Sequence, residues 1–190
     1  MTEIGDYIFF YGSDWPSNFA KATIKIKDKM HQSTLFDNTP KYITFNDSET
    51  YYQSWKAVIM NDRENYYRIV ISTTPAMSKK LARNIKLDPK LWDKSRDVVM
   101  YSVLRHKFLQ NQDLLDELLS DKYDGKIFVE ASPTDKYWGI GFSEEQAKDY
   151  IDRNGINPMD DPGVEKGKNM LGKLLNELRK NLILAKKNQI

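Results

Sequence analysis

Lys41-Tyr42-Ile43-Thr44-Phe45-Asn46-Asp47-Ser48-Glu49-Thr50-Tyr51-Tyr52-Gln53-Ser54-Trp55-Lys56 changes character halfway along. Up to Phe45, aromatic and β-branched residues favour a short strand. After Asp47, Ser48 opens a helix predicted to reach about Met60. At 100° per residue, Glu49, Tyr52, Gln53 and Lys56 share one face, and Tyr51, Trp55, Val58 and Ile59 share the opposite one. The second face supplies core. The first is a polar row holding an acid, an amide and a base, with Glu49 in the first turn, where the helix dipole favours an ionised carboxylate. Periodicity leaves two readings of that row: a solvated face whose acid and base scarcely interact, or a set of groups that meets a ligand.

Working outward, the preceding chain is strand-rich. Tyr7 to Tyr11 is an apolar, aromatic run suited to a buried strand. Ala22 to Lys27 alternates Ile24 and Ile26 with lysines, as a half-buried strand does. Between them, Gly12 to Phe19 is a turn-rich loop. The following chain is mostly helical. Pro75 predicts a helix to Asn84, and Asp88-Pro89 opens another to about Gln110, because proline is tolerated in a first turn. Asp113 to Ser120 adds a short helix and Lys126 to Ala131 one more buried strand. Ser143 starts a polar helix that Asn154-Gly155 stops. Residues 157–163 form a surface loop. The last helix is predicted from near Gly167, with Leu171, Leu174, Leu175, Leu178 and Leu182 as its apolar stripe. This order predicts an α+β fold, not an alternating βαβ one. The expected architecture is one compact domain over residues 1–190, its small, mainly antiparallel sheet surrounded by many helices.

A length of 190 residues corresponds to roughly one domain. The net charge of +2 supplies no general electrostatic reason for binding nucleic acid or membranes. Cysteine is absent, which excludes disulfides, zinc thiolates and a cysteine nucleophile. With His31 and His106 the only histidines, a multi-histidine metal site is not expected. The N-terminal Met1 to Asp6 carries acids where a signal peptide has bases. No apolar stretch approaches the roughly 20 residues of a membrane span. The simplest expectation is a cytoplasmic protein with no membrane partner, no metal and no cofactor.

Two further segments combine chemistry with turn residues. Glu130-Ala131-Ser132-Pro133-Thr134-Asp135-Lys136-Tyr137-Trp138-Gly139-Ile140-Gly141 follows a buried strand, where binding groups are common. Trp138 either stacks on a nucleobase or tucks into the core. In Gly167-Lys168-Asn169-Met170-Leu171-Gly172, backbone N–H groups at a helix start could hold a phosphate. No Walker motif or G-x-G-x-x-G fingerprint is present, and no serine elbow. Asp160-Asp161 and Glu144-Glu145 are the acid pairs open to a cation, though such pairs are usually solvated. Lys79, Lys80, Arg83 and Lys86 form either a basic groove or a wet helix face.

In order along the chain, these residues resemble the NADAR (YbiA-like) family. The resemblance rests on Ser17-Asn18-Phe19; Glu49 with Tyr52, Gln53 and Lys56; and Pro75 with Arg83. It continues through Trp92, Arg96, Met100, Leu104, Lys107-Phe108 and Gln110-Asn111. The most specific block is Glu130-Ala131-Ser132-Pro133-x-Asp135-x-x-Trp138-Gly139-x-Gly141. Gly167-x-Asn169-x-Leu171-Gly172, Leu174-Leu175 and Arg179 close it. The resemblance implies a metal-free N-glycosidase that cleaves a ribosyl C1–N bond. Its substrate would be ADP-ribose on a guanine base or nucleotide, including ADP-ribosylated nucleic acid. The alternatives are a ribosylamino-pyrimidine phosphate of riboflavin metabolism, or sequestration of ADP-ribose without turnover. Glu49 and Asp135 are the implied catalytic acids, since an oxocarbenium-like centre wants a carboxylate beside it. Trp138 would stack on the leaving base. Asn18, Gln53 and Asn169 would bond ribose or phosphate, with Phe19 and Tyr52 beside them. Lys56, Arg83, Gly139 and Gly167 would meet phosphates.

Three departures from the family pattern stand out. Ala82 precedes Arg83 where many relatives have glycine. Asn176 replaces a commonly apolar residue. Residues 142–166 form an insertion expected to add a helix and a loop, as a determinant of substrate choice or as a lid.

Overall fold

The computed structural model describes residues 1–31 and 41–188. Five strands are present among them: β1 (Thr2–Ile4), β2 (Tyr7–Phe10), β3 (Lys21–Lys27), β4 (Tyr42–Asp47) and β5 (Ile127–Glu130). The helices are α1 (Ser48–Ile59), α2 (Arg63–Val70), α3 (Pro75–Leu81), α4 (Pro89–Leu109), α5 (Gln112–Leu119), α6 (Glu144–Asn154) and α7 (Met170–Lys187). The class is α+β, as expected. The strands divide between two small sheets, and the chain parts into two compact units, Met1–Ser17 with Asp116–Ile190, and Asn18–Leu115. The short strand β1 and helix α2 have no counterpart in the periodicity. Only three residues make β1, and α2 is a single polar segment capped by Asp62, which accepts from the Asn65 N–H.

In the unit containing both termini, the sheet order is β1-β2-β5. β1 pairs antiparallel to β2, while β2 and β5 run parallel with Phe9 opposite Val129. Phe9, Phe10, Phe128 and Val129 are all fully buried, which is what consecutive apolar residues on a strand covered on both faces require. The second edge of β5 is closed by side-chain amides. Asn169 Oδ1 accepts from Glu130 N at 3.0 Å and its Nδ2 donates to Phe128 O at 3.0 Å. Asn176 Oδ1 accepts from Phe128 N at 3.3 Å while its Nδ2 donates to Gly172 O at 2.8 Å. The departure at Asn176 is thereby explained: it satisfies strand edge groups that would otherwise be costly to bury. α7 lies so close to β5 that a Cβ on Gly172 would sit 2.1 Å from Phe128 O. Leu171, Leu174, Leu175 and Leu178 are buried as the stripe predicts, and Leu182 is half-buried.

α7 begins at Met170 and not near Gly167. The N–H groups of Gly167, Lys168, Asn169, Met170 and Leu171 donate instead to the carbonyls of Ile140, Lys136, Gly139, Tyr137 and Trp138. Within residues 142–166, Ser143 and Gln146 form a capping box for α6, and Gly155 ends it at φ 69°. Ala147, Phe142 and Met159 join Phe9, Val129 and Ile140 in one apolar cluster. Beyond α6, Tyr7 bonds Asp160, Tyr150 bonds Asp161, and the Lys166 ammonium donates to three carbonyls, those of Pro158, Met159 and Asp161. The segment is thus fastened into its unit's core rather than hung as a lid, and the two aspartates hold tyrosines.

The other unit is built on β3 and β4, which pair antiparallel with Ile24 opposite Phe45. Ala22, Ile24 and Ile26 point inward and the intervening Thr23 and Lys25 outward. Asp47 caps α1, Thr74 caps α3 with Pro75 in its first turn, and Asp88 caps α4 with Pro89 likewise. Just after α4, Gln110 and Asn111 bond β3 through their amides. Gln110 Oε1 accepts from Lys25 N at 2.8 Å, and Asn111 bonds both Thr23 N at 3.0 Å and Thr23 O at 2.9 Å.

Gly172→Ala tests the approach of α7 to β5. Helix propensity alone would reward alanine by about 1 kcal/mol. The blocked contact should instead destabilise by about 1–3 kcal/mol, the usual range for overpacking. Urea unfolding of the variant checks this, and an unchanged or higher midpoint would contradict the packing.

Candidate active site

Residues Ser48 to Ser54 of α1 are buried all round. The polar row is therefore not a solvated face. Tyr51 packs on Phe45 with ring centroids 5.0 Å apart, and Tyr52 packs on Trp92 at 5.4 Å. Trp55, Val58 and Ile59, expected in the core with Tyr51, are only half-buried. α1 is thus most enclosed at its N-terminal turns, where Glu49 sits only 6% exposed.

A carboxylate so placed needs partners. The Gln53 Nε2 donates to Glu49 Oε1 at 2.7 Å, and the Glu49 backbone N–H donates to Asn18 O at 3.0 Å. Burial pushes the Glu49 carboxyl above the usual range, and nearby Asp47 adds to that. Lys79, then the Gln53 bond, then Lys56 pull it back. Lys56 shows the complementary effect: burial lowers its proton affinity, Glu49 opposes, and Lys79 adds to the lowering. Its ammonium lies 5.9 Å from the Tyr52 ring and 5.4 Å from the Trp92 ring. The Lys79 ammonium lies 5.8 Å from the Phe19 ring, which is itself exposed.

Three buried polar atoms on nearby residues have no hydrogen-bond partner among the described residues: Gln53 Oε1, whose amide bonds the carboxyl, Ser48 Oγ of the same helical turn, and Asn18 Oδ1, on the residue whose backbone carbonyl accepts from Glu49 N. Gln53 turns its amino group to Glu49 because an ionised carboxylate only accepts, which leaves its carbonyl unspent. Asn18 likewise donates to Met100 Sδ at 3.2 Å and keeps its oxygen. Each such group costs about 1–3 kcal/mol when left unmade. Two acceptors, a hydroxyl, a carboxyl of raised proton affinity and two flanking amines form a set suited to a polyhydroxylated, anionic ligand.

The expected residues fall into two groups. Asn18, Glu49, Tyr52, Gln53 and Lys56 come together around α1, with Phe19 joined through Lys79. Arg83 is exposed in the short 3₁₀ turn 82–84, which packs against α1. Of the basic cluster, Lys79 is the one turned toward Glu49. Ser48 is a functional candidate that spacing missed, and Lys79 is one that spacing left within an undecided basic cluster. Lys79 approaches only because α3 packs against α1, and no periodicity reports that.

The second group belongs to the other unit, and its chemistry differs from expectation. Asp135 Oδ1 accepts from Tyr137 N and Trp138 N, both at 2.8 Å, so it shapes a turn. A Cβ on Gly139 would meet Ser132 Cβ at 2.7 Å, and one on Gly167 would meet Gly139 O at 2.3 Å. These glycines permit close backbone packing. The Gly167 amide is spent on Ile140 O and is not free for phosphate. Asn169, expected to bond ribose or phosphate, gives both ends of its amide to β5. Trp138 is half-buried, edge-on to Tyr137 at 5.0 Å. Among the described residues, no three of His, Cys, Asp and Glu cluster as metal ligands, and no helix is long and apolar enough to cross a membrane.

Comparison with known proteins places this arrangement in context. The NADAR domain profile matches residues 9–183. "N-glycosidase R617" of Acanthamoeba polyphaga mimivirus is 29% identical over 180 residues, covering 93% of this chain and 96% of that protein. "N-glycosidase YbiA" of Escherichia coli is 31% identical over 171 residues, 90% of this chain and 82% of that one. The NMR structure of E. coli YbiA superposes with a TM-score of 0.66 at 27% identity, covering 97% of this chain and 89% of YbiA. A longer maize protein, "Riboflavin biosynthesis protein PYRR, chloroplastic", is 29% identical over 161 residues, 80% of this chain but 22% of its own length.

The burial of Glu49 carries a sign that can be measured. Below the ordinary glutamate range the carboxyl is protonated in both folded and unfolded chains. As pH rises toward the raised folded value, the unfolded chain releases a proton that the folded one keeps, so stability falls. Glu49→Gln should therefore gain about 0.5–2 kcal/mol at pH 7.5, and the gain should shrink toward zero as the medium is acidified below pH 4. Urea unfolding at both pH values checks this. A loss at pH 7.5 would mean that Lys79 and Lys56 outweigh burial.

Proposed function

The chain belongs to the NADAR family, and on that footing we propose that it hydrolyses ribosyl C1–N bonds, with Glu49 as its catalytic carboxyl. One observation carries the reading: a buried carboxyl bonded by the Gln53 amide and acted on by the charges of Lys79 and Lys56, with unspent polar atoms on Gln53, on adjoining Ser48 and on Asn18.

The chemistry follows from charge. As the C1–N bond breaks, the electron pair leaves with the base and positive charge builds on the sugar. Water adds at C1, and the proton it loses must be accepted and finally delivered to the base that has left with the electron pair. A carboxyl with raised proton affinity is suited to take that proton from the attacking water, while its negative charge stabilises the cationic sugar. Asn18 Oδ1 and Gln53 Oε1 accept from ribose hydroxyls, which are donors. Lys56 and Lys79 offset the phosphates. Asp135, with one oxygen committed to its turn, is a turn former here, and Glu49 is the primary acid.

ADP-ribose linked to a guanine base or nucleotide is the proposed substrate, because two amines acting on Glu49 suit a diphosphate. ADP-ribosylated nucleic acid falls in the same class. A second reading, a ribosylamino-pyrimidine phosphate, is favoured by the likeness to the riboflavin biosynthesis protein. Incubation with ADP-ribosyl-guanosine, with the ribosylamino-pyrimidine phosphate and with NAD, followed by chromatography of released base, separates the two. Release from the first alone is expected. Release from the second alone selects the other substrate, and calorimetric binding with no release in any case would make the protein a sequestering one. Glu49→Gln should cut turnover by roughly 10²–10⁴, the usual loss of a positioned acid or base. Full activity in that variant would remove Glu49 from the mechanism.

Lys56 allows a separate test. If it supplies charge to the phosphates, Lys56→Arg should retain most of kcat/KM and Lys56→Met should raise KM. Equal loss of kcat in both variants would show that the amine itself takes part, since a desolvated lysine beside another cation is also the setting of a nucleophilic one.

A further inference from the structure

We propose that Lys107 and Asp47 form a buried charge pair that seats the first turn of α1, so that Lys107 acts through Asp47 as a positioning residue for the Glu49 carboxyl. This rests on Glu49 being the catalytic group, as assigned above.

Lys107, near the end of α4, has 0% exposure. An ammonium removed from water in this way requires a counter-charge. Asp47, the last residue of β4 and the cap of α1, is also buried, and it is the charge acting on Lys107. The backbone on both sides is held. Asn111 Nδ2 donates to Lys107 O at 2.7 Å and also to Thr23 O of β3 at 2.9 Å. β3 in turn pairs with β4, placing Lys21 opposite Asp47. Asp47 then passes the constraint to the helix, accepting from Thr50 N at 2.6 Å and Thr50 Oγ1 at 3.0 Å. Glu49 lies within that capped turn.

The electrostatics agree with this geometry. Burial pushes the Asp47 carboxyl up, and the two Thr50 hydrogen bonds and then Lys107 pull it down, while burial drives the Lys107 amine down to about 7 against the pull of Asp47. The charges acting on Glu49 are Lys79 from α3 together with Lys56 and Asp47 from its own segment, and Asp47 is the anion of that set. An ionised Asp47, favoured by the Thr50 bonds and by Lys107, therefore keeps the proton on Glu49 more tightly held than the two lysines alone would. The neighbouring His106 faces the Tyr51 ring at 5.7 Å and bonds Ser102 O.

The test uses Asp47→Asn, which keeps a capping oxygen but removes the charge, Lys107→Met, and the double variant. Each single substitution should lower Tm, because it strands the other buried charge. The double variant should recover most of that loss. Glu49 is then titrated by NMR in protein carrying carboxyl-¹³C glutamate, with Glu49→Gln assigning the resonance. In the double variant its midpoint should lie at lower pH than in the wild type, and the acid limb of kcat/KM should follow. A double variant that recovers stability with an unmoved Glu49 midpoint would reduce the pair to packing and overturn the proposal. Simple addition of the two losses in Tm would overturn it as well, by showing that the groups are uncoupled. A shifted midpoint in a protein that hydrolyses none of the three substrates would support the pair and reject the hydrolase reading, because the titration needs no turnover.

Discussion

Enclosing the Glu49 carboxyl is the constraint on which its unit turns. An ion taken out of water is costly unless neighbouring groups replace the solvent. Here the replacement is assembled from several directions: the N-terminal dipole of α1, the Gln53 amide, the Lys56 ammonium one turn further along, and Lys79 from α3. None of these fully compensates, since the carboxyl still holds its proton more tightly than one in water. Unspent oxygens beside it add to the cost. Protein regions that keep such unfavourable arrangements are those where a ligand completes them, and stability is exchanged for chemistry there.

The scaffolding that holds the site obeys a different rule. Short strands leave rows of edge groups, and each unit covers one row with carboxamides. Asn169 and Asn176 do this for β5, and Gln110 and Asn111 for β3. An amide side chain offers an acceptor and two N–H donors, enough to match the donor and acceptor of a neighbouring strand, so it can finish a ladder without another strand. This explains why a fold with two- and three-stranded sheets can bury strand edges under helices. It also changes the meaning of the glycines around Trp138. Gly139, Gly167 and Gly172 are places where one backbone passes against another, and the motif they belong to is a packing motif in this chain.

Much of the architecture was legible along the chain because it is local. The alternation in Ala22 to Lys27, the switch at Asp47, the prolines at 75 and 89, the helix start at Ser143 and the leucine stripe of the last helix each depend on neighbours a few residues away. The sheet arrangement was not legible, because β2 finds β5 more than a hundred residues later and no periodicity encodes a partner. Glu49, Tyr52, Gln53 and Lys56 were legible as a row, but whether the row was wet or buried was not.

By itself, then, the order of residues determined the α+β class, most helix boundaries, the family and the group of residues around Glu49, all of which rest on short-range pattern or on motif. The tertiary structure alone decided that Glu49 is buried. It likewise decided that Asn169 and Gly167 serve the backbone and that Lys79 and Lys107 supply charge to α1. The reason is that burial and electrostatic environment are properties of what packs against a side chain, and those neighbours come from segments distant in the chain.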